Sequence, residues 1–536
     1  MGSRRRMDRG GRRGARAMTA RNVLLVTVDQ WRGDCLSAAG HPVVRTPNLD
    51  RLAARGVRFA NHWSVTAPCG PARASLHTGL YLMHHRSVGN GTPLSDRFTN
   101  IAREARKAGY DPTLFGYTDT TVDPALVSDP GDPRLRDYEG VLPGFTPAVV
   151  LTEADKSRWA QWLAARGVDV PADIEDLYLP VDGYPGAGDH APSWAPSRVG
   201  ADHTETAFVT EEFLGWLDRN PRAGRDQPWF AHVSYIRPHP PYRAPEGYHD
   251  LYDPDQGPAF RRLTDRRAEV SRHMIHRSAA HVVGCPLDEA ETRQLRATYW
   301  GNMAEVDFQF GRVLDHLEHT GLAEETLVVV TADHGEQMGD HWLIQKLGWW
   351  DESYHVPLIV ADPRLAADQS RGSVVDAFTE SVDVMPTLCE WIGVEVPVAV
   401  DGRPLQPFLH GAGSPEDCPE DWRTEAHWQW DWRDPVDHVP EDLFGLTMEQ
   451  CTLDVIRAAD HKYVQIADGS WLYFDLEADP DQVADPQEAA VAAGADARIA
   501  EARVNLLTWR MRHDDRTLTG HRVTSEGLVV RRDPRL

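Results

Sequence analysis

Short continuous runs of apolar residues recur along the chain and are separated by longer amphipathic stretches. An apolar run of strand length is typical of a buried parallel strand, whereas apolar positions three and four residues apart are typical of a helix. Strands are predicted at 21–29, 229–235, 326–331 and 356–360, and helices at 47–55, 291–319 and 381–392. Strands that alternate with helices favour an α/β domain with a mostly parallel sheet.

Two stretches interrupt this alternation, and a different pattern follows residue 400. Residues 120–200 and 237–290 are rich in Pro, Gly or charged residues, and they are predicted to run over the surface as pocket walls. Short strands at 452–456, 461–466 and 470–475, with a turn at 468–469, predict a small antiparallel sheet before a helix at 495–512. The predicted organisation is a disordered basic tail at 1–20, a large α/β domain at 21–410, an α+β subdomain at 411–515 and a C-terminal tail at 516–536.

The composition is that of a soluble globular protein and argues against two classes of partner. Of the 536 residues, 41% are hydrophobic and 26% are charged. The net charge of −25 makes nucleic acid an unfavourable partner, because a polyanion is repelled over most of the surface. No apolar stretch approaches the ~20 residues that a membrane-spanning helix needs, so no membrane partner is expected.

The cysteines and the N-terminal residues predict a cytoplasmic location. The six cysteines show no paired spacing that would indicate a zinc site or a disulfide framework, and five of them are interpreted as inert. Arginines are frequent between positions 4 and 16, and no apolar segment follows them before Met18. This stretch is therefore interpreted as a disordered tail, or as a start codon misassigned upstream of Met18, and not as a secretory signal.

Two acidic residues directly follow predicted core strands. Asp29 and Asp333 each come after an apolar run, and each precedes a second donor, Gln30 or His334. Ligands bind beyond the carboxyl ends of the strands in an open parallel sheet, so these four residues are predicted to hold one divalent cation. Oxygen ligands suit Ca²⁺, Mg²⁺ or Mn²⁺, and the histidine shifts the balance towards Mn²⁺. The alternative is that each aspartate only caps its own loop.

Cys69 is the candidate nucleophile. It precedes Pro71 at the predicted start of a helix, where free N–H groups and the helix dipole favour a developing anion. Arg73 lies four residues further on, on the same helix face, and is predicted to contact the nucleophile and the anionic oxygens of a substrate. The rival chemistry is a plain thiolate, which would require a neighbouring base.

These motifs together resemble a known family. The segments 28–30, 69–73 and 332–336 (VDQ, CGPAR and ADHGE) are similar to the sulfatase branch of the alkaline phosphatase superfamily, and most similar to its formylglycine-dependent phosphonate monoester hydrolases. The resemblance implies an alkaline-phosphatase-like sheet between helices, one metal ion (Ca²⁺ or Mn²⁺) and oxidation of Cys69 to formylglycine. It also implies ester cleavage through a covalent hemiacetal intermediate, which collapses without attack by water at the hindered centre.

The same resemblance implies further site residues. Asn90 and Tyr117 would contact the substrate, His239 would protonate the leaving oxygen or contact the anion, and Lys346 would lie near the bridging oxygen. The stretch 116–119 (GYTD) lacks the Lys/His pair of common arylsulfatases, so a plain arylsulfatase is a poorer match. Tryptophans at 349–350 and 428–432 are interpreted either as lining a leaving-group pocket or as packing in the core.

The sequence therefore predicts a metal-dependent hydrolase of phosphonate monoesters, phosphodiesters and sulfate esters. Its expected partners are a small anionic ester, a formylglycine-generating maturation enzyme and further copies of itself in a homo-oligomer. The first alternative is a dedicated sulfatase with a narrow natural substrate. The second is a catalytically silent relative that binds anions or metal, although none of the candidate residues is missing.

Overall fold

The central element is an eight-stranded sheet in the computed structural model, which describes residues 22–187, 192–219, 228–411, 418–492, 494–516 and 518–530. Its strands are β1 (Asn22–Val28), β2 (Val57–Trp63), β3 (Pro112–Gly116), β4 (Thr146–Val150), β5 (Phe230–Tyr235), β6 (Thr326–Ala332), β7 (Leu358–Ala361) and β8 (Ser373–Glu380). They lie in the order β4-β3-β5-β1-β6-β7-β2-β8. β7 runs antiparallel to β6 and β2 and the other pairings are parallel, so the predicted mostly parallel sheet is confirmed.

Helices pack against both faces of this sheet. The described helices are α1 (Pro47–Arg55), α2 (Cys69–Thr78), α3 (Leu82–His85), α4 (Ile101–Lys107), α5 (Ser157–Ala165), α6 (Glu205–Arg219), α7 (Arg266–Val270), α8 (Met274–Val282), α9 (Glu289–His319), α10 (Asp351–Tyr354), α11 (Val384–Ile392), α12 (Gln406–Leu409), α13 (Val439–Phe444), α14 (Pro486–Ala492) and α15 (Asp496–Arg512). One face is covered by α1, α5, α6 and α9, and the other by α2, α4 and α11. The α/β architecture with helices on both sides is therefore as predicted.

The alternation of side chains along β1 explains its continuous apolar run. Val23 and Leu25 belong to the core under α2, α4 and α11, whereas Leu24, Val26 and Val28 belong to the core on the opposite face. All five are 4% exposed or less. Because each face of the sheet is covered, the run 23–26 is apolar on both faces of the strand.

A second, antiparallel sheet follows the large one in the chain. Its strands β9 (Glu425–Asp431), β10 (Thr452–Ala458), β11 (His461–Ile466) and β12 (Trp471–Asp475) lie in the order β12-β11-β10-β9. Three of the four were predicted, and the turn between β11 and β12 contains the predicted Gly469, whose φ is 96°. Trp428 of β9 stacks on Trp63 of β2, with 5.4 Å between ring centroids, and thereby joins the two sheets. The last described element is the hairpin of β13 (His521–Thr524) and β14 (Gly527–Val530).

Two predicted elements start later than expected. The helix predicted at 381–392 begins with a 3₁₀ turn, Ser381–Asp383, before α11 starts at Val384. The strand predicted at 356–360 starts at Leu358, since Pro357 cannot donate a ladder hydrogen bond. The helix at 47–55 has the predicted bounds, although the hydroxyl of Thr46 bonds Ser37 and does not cap the helix.

The prediction of surface loops at 120–200 and 237–290 is wrong in part. The first stretch contributes the edge strand β4 and the helix α5, and Trp159 of α5 is fully buried in the core. The second contains α7 and α8. Frequent Pro and Gly hid these short elements, because such residues are also typical of loops.

Within the described part of the chain, no helix has both the length and the apolar character needed to cross a membrane.

Candidate metal centre and nucleophile

The two predicted acidic ligands lie side by side at one edge of the large sheet. β1 and β6 are adjacent and parallel, with Val28 opposite Ala332, so the next residues, Asp29 and Asp333, emerge together. Both are 1% exposed. Asp333 Oδ1 accepts hydrogen bonds from the backbone N–H groups of Gln30 (3.0 Å) and His334 (2.9 Å), which fixes the carboxylate in place.

Helix α2 brings Cys69 to these acids. Cys69 is its first residue, and all ten residues of the helix are buried. One ligand atom each of Asp29, Cys69, Asp333 and His334 lies within 4.8 Å of the others. His334 Nε2 is 3.1 Å from Cys69 Sγ, 3.9 Å from Asp29 Oδ1 and 3.8 Å from Asp333 Oδ1. The predicted convergence of the two strand ends and the nucleophile is therefore observed.

The histidine is in the form that ligates a metal. The Nδ1 atom of His334 lies 3.0 Å from the carbonyl oxygen of Gly335, so Nδ1–H donates there and Nε2 keeps a free electron pair facing the cluster. Burial lowers the pKa of His334, which favours this neutral form. Two carboxylates and one neutral imidazole nitrogen around one small space fit a hard divalent cation.

Arg73 ties the two carboxylates together. Its Nε donates to Asp333 Oδ2 (2.8 Å), its Nη2 to Asp29 Oδ2 (3.1 Å) and its Nη1 to the hydroxyl of Ser234 (2.8 Å). Burial opposes ionisation of Asp29, but the charge of Arg73 holds its pKa at about 2. Since each guanidinium nitrogen already has an acceptor, Arg73 orients the ligands, which differs from the direct substrate contact expected from the sequence.

Gln30 and Lys346 form the neighbouring side of the site. Lys346 Nζ donates to Gln30 Oε1 (2.7 Å), and Gln30 Nε2 donates to Glu336 and to the hydroxyl of Tyr242 (2.9 Å). Burial disfavours the charged amine, yet the Cys69 sulfur and Asp29 raise the pKa of Lys346 above its ordinary value. Lys346 is thus a buried cation beside the cluster, and its position near the bridging oxygen of a substrate stays a prediction.

His239 lies in electrostatic range of Lys346 and His334 but outside the four-residue ligand cluster. Its Nδ1 is 2.9 Å from the carbonyl oxygen of Pro240, so in the neutral ring Nδ1–H donates there and Nε2 accepts. Burial and the positive charge of Lys346 lower the pKa of His239 well below its ordinary value. An anion bound nearby would favour the protonated ring again.

The two predicted substrate contacts occupy different environments. Asn90 is exposed, and its Oδ1 accepts a hydrogen bond from the N–H of Gly70 (2.9 Å), beside the nucleophile. Tyr117 is buried, and its hydroxyl donates to Asp29 and accepts from Arg73 Nη2 (3.0 Å). Asn90 is therefore open to a bound molecule, whereas Tyr117 hydrogen-bonds the carboxylate of Asp29, one of the candidate metal ligands.

The tryptophans belong to the core and do not line the site. Trp349, Trp350, Trp428 and Trp430 are at most 6% exposed and form one apolar cluster. Trp428 lies between Trp63 and Tyr354, with ring centroids 5.4 and 4.9 Å apart. The core-packing interpretation is the one that the structure supports.

Sequence reasoning missed three groups that complete the site. Ser234 bonds Arg73, and Glu336 and Tyr242 hold the amide of Gln30. Glu336 lies within the 332–336 motif, and Ser234 lies near the end of β5, next to β1. Their positions in the sequence could therefore have identified them as part of the site. Tyr242 follows a proline-rich segment and carried no signal.

Comparisons with known proteins agree with this geometry. A family pattern described as sulfatase matches residues 21–394, and one described as N-sulphoglucosamine sulphohydrolase, C-terminal, matches residues 339–505. The chain is 41% identical over 540 residues to the multifunctional alkaline phosphatase superfamily protein PehA of Trinickia caryophylli, covering 96% of this chain and 100% of that protein. It is 27% identical to an arylsulfatase of Clostridium perfringens, covering 86% and 89%.

Two solved structures are similar over almost their whole length. The phosphonate monoester hydrolase of Agrobacterium radiobacter superposes with a TM-score of 0.88 and 43% identity, covering 96% of this chain and 100% of that one. The phosphonate monoester hydrolase of Silicibacter pomeroyi superposes with a TM-score of 0.87 and 38% identity, covering 96% and 99%.

Proposed function

The chain belongs to the sulfatase family, and from that premise we propose that it is a metal-dependent hydrolase of phosphonate monoesters, phosphodiesters and sulfate esters. The observation that carries the proposal is the position of Cys69 at the start of α2, against Asp29, Asp333 and His334. In the mature protein a formylglycine would replace the Cys69 thiol, so the Sγ atom stands for the oxygen of the nucleophile.

The metal would be held by Asp29, Gln30, Asp333 and His334. Such a cation, Ca²⁺ or Mn²⁺, lowers the pKa of a hydroxyl bound to it and polarises the substrate. Asp29 and Asp333 present oxygens already oriented by Arg73. The side-chain oxygen of Gln30 faces Lys346, so this amide would be shared between the metal and the amine.

Two side chains would serve the ester itself. Lys346, charged and buried, would neutralise the negative charge that develops on the leaving oxygen. His239 would protonate the alcohol once an anionic ester favours its imidazolium form. Asn90 would donate its amide N–H to an anionic oxygen of the substrate, while its own oxygen stays on the N–H of Gly70.

Two further properties are part of the proposal. A maturation enzyme would convert Cys69, because the proposed nucleophile is formylglycine whereas the encoded residue is a thiol. The cysteines are free thiols in the structure, which fits the proposed cytoplasmic location.

The test compares three esters that share phenol as the leaving group: a phosphonate monoester, a phosphodiester and a sulfate. kcat/KM is measured for each with purified protein whose formylglycine content is known from mass spectrometry. We expect turnover of all three, with the phosphonate or the diester ahead. Cys69→Ala is the blank, and Cys35→Ala is the matched control because Cys35 is also buried but lies outside the cluster.

Each result bears on a different part of the proposal. Activity that survives Cys69→Ala would refute the assignment of the nucleophile. A clear lead for the sulfate ester would instead indicate a dedicated sulfatase, and Gln30, His334 and Tyr117 would then not set the specificity.

A further inference from the structure

A buried carboxylate beside the site has an oxygen without a hydrogen-bond donor. Asp119 comes three residues after β3, with φ of 49°, a left-handed backbone conformation that Asp tolerates better than most residues. It is 4% exposed, and its Oδ1 has no hydrogen-bond partner in the part of the chain that the structure describes. A buried acceptor left unpaired is unfavourable, so such a group calls for an explanation.

Asp119 lies next to the start of the nucleophile helix. Its carbonyl oxygen is 3.4 Å, and the Asn90 Oδ1 atom 3.2 Å, from the point where a Cβ on Gly70 would be. Gly70 directly follows Cys69, so Asp119 and Asn90 form one wall of the space around the nucleophile.

A second acid stands beside Asp119. The hydroxyl of Thr118 donates to the carbonyl oxygen of Gly140 (2.9 Å), and so does the N–H of Thr120 (3.1 Å), which anchors the segment 118–120 to residue 140. The preceding residue, Glu139, is 6% exposed, and burial raises its pKa to about 7. Burial also raises the pKa of Asp119, and the charge of Glu139 reinforces that shift.

This acidic pair has no cation of its own. Across the described ranges, neither Asp119 nor Glu139 forms an ion pair with a lysine, arginine or histidine. The positive charge that acts most strongly on Asp119 is Arg73, whose nitrogens already bind Asp29, Asp333 and Ser234. A cationic ligand would supply the partner that the described residues do not, and it would favour the ionised form of this buried acid.

An aromatic residue lies next to the same wall. Tyr138 is 36% exposed, and its Cβ is 3.8 Å from the point where a Cβ on Gly91 would be, next to Asn90. Its hydroxyl donates to Glu153 Oε2 (2.6 Å), which adds a third carboxylate. Carboxylates attract a cation by charge, and the face of a tyrosine ring also attracts an ammonium group, so residues of both kinds favour such a ligand here.

We propose that the alcohol part of the natural substrate carries an ammonium group, which binds to Asp119 and Glu139 beside Tyr138. The inference rests on the proposed function and narrows it: the substrate is a zwitterionic ester of an amino alcohol. Its anionic end lies at the metal centre and Lys346, and its cationic end lies at the acidic wall.

The test uses two methylphosphonate monoesters of the same shape. One has choline as its alcohol and the other has 3,3-dimethylbutanol, in which carbon replaces the charged nitrogen. The measured quantity is the ratio of kcat/KM for the choline ester to that for the neutral ester. Comparing this ratio between protein variants cancels the difference in leaving ability of the two alcohols.

We expect the ratio to fall at least about tenfold in Asp119→Asn, because a charge pair in a buried site is lost. Asp129→Asn, an exposed acid of the same stretch, serves as the control and should keep the wild-type ratio. If Asp119→Asn does not fold, Glu139→Gln takes its place. An unchanged ratio would overturn the inference, and if both kcat/KM values then fall by the same factor, Asp119 acts at the anionic group that the two esters share.

Different experimental outcomes would overturn the inference and the proposed function. Turnover of the neutral ester with no preference for choline overturns the inference alone. If the wild type hydrolyses neither these esters nor the phenyl esters, the proposed function fails, and calorimetric titration of the full chain with choline then decides the inference. Choline binding that Asp119→Asn abolishes would support it, and no binding would overturn it.

Discussion

At the scale of single residues, Arg73 holds the site together before any ligand arrives. Two carboxylates close together and shielded from water repel each other, and this arginine supplies the charge between Asp29 and Asp333. Removing one partner of a buried ion pair costs roughly 3–5 kcal/mol, because an uncompensated charge remains. The same residue therefore supports both the fold and the metal centre.

Asp333→Ala is expected to lose the bound divalent ion. The substitution removes one of the two anionic oxygen ligands, so the affinity should fall by more than the roughly 10–100-fold that the loss of an outer-shell partner costs. The measurement is metal content by elemental analysis after dialysis, with Asp376→Ala, an exposed aspartate of β8, as the control. Unchanged metal content in Asp333→Ala would count against this centre.

The sequence allowed the ligand set to be predicted but not the contacts behind it. Asp29, Asp333 and His334 were visible because each follows a buried strand, and Cys69 because it starts a helix. The burial of Asp119 could not be predicted from the sequence. It depends on the hydrogen bonds between the segment 118–120 and Gly140, and no local pattern encodes that contact.

At the scale of elements, one carboxylate links the short helix α10 to the second sheet through two ion pairs. Asp351 Oδ1 accepts from Lys462 Nζ (3.0 Å), and its Oδ2 accepts from Arg457 Nε (3.1 Å). Burial opposes the charged carboxylate, but Lys462 and Arg457 hold its pKa at about 2. Burial also lowers the pKa of Lys462, so this amine depends on Asp351 to stay charged.

This pair predicts a pH dependence of stability. The pKa of Asp351 is depressed in the folded state, so its contribution is complete above the ordinary carboxyl pKa of about 4 and is lost as the pH falls towards about 2. A shift of about two units corresponds to roughly 2–3 kcal/mol. Urea unfolding of Asp351→Asn should show a free energy of unfolding lower by this order at pH 7, and the difference from wild type should shrink towards pH 2.

Asp376→Asn is again the matched control and should follow the wild-type curve at every pH, because that side chain is exposed. An Asp351→Asn curve parallel to the wild type over the whole acid range would contradict the assignment.

The elements that could be predicted are the ones that repeat a simple pattern. β1 and β6 are continuous apolar runs, and α1 and α9 have helical periodicity with clear ends. β4 lies at the edge of the sheet and contains a proline, and β9 carries alternating tryptophans that were interpreted as possible pocket residues. Neither segment has the composition of an ordinary core strand, so only the tertiary structure reveals them.

At the scale of the whole molecule, the C-terminal hairpin exposes several apolar side chains. Val523, Leu528, Val529 and Val530 of β13 and β14 are 82%, 62%, 52% and 51% exposed. An isolated two-stranded hairpin is marginally stable in water, and its open edges invite pairing with another chain. The hairpin is therefore where we expect the homo-oligomer to form.

Truncation after Arg516 removes the hairpin and should lower the mass of the particle in solution. Light scattering coupled to size exclusion measures this mass, with the double substitution Val504→Ser, Leu507→Ser as the control, because these two exposed apolar residues lie on α15. A full-length chain that is monomeric at micromolar concentration would contradict the expectation, as would a truncated chain that keeps the full-length assembly.

The burial of α2 has a consequence for the proposed conversion of Cys69. Cys69 is 5% exposed, and its neighbours in the helix are shielded as well. A maturation enzyme that must bind the peptide around this cysteine would have no access to it once the sheet and its helices have closed. Under that proposal, conversion and folding would compete for the same newly made chain, and a chain that folded first would stay inactive. The yield of active protein would then depend on the relative speed of the two processes, and slower folding would raise it.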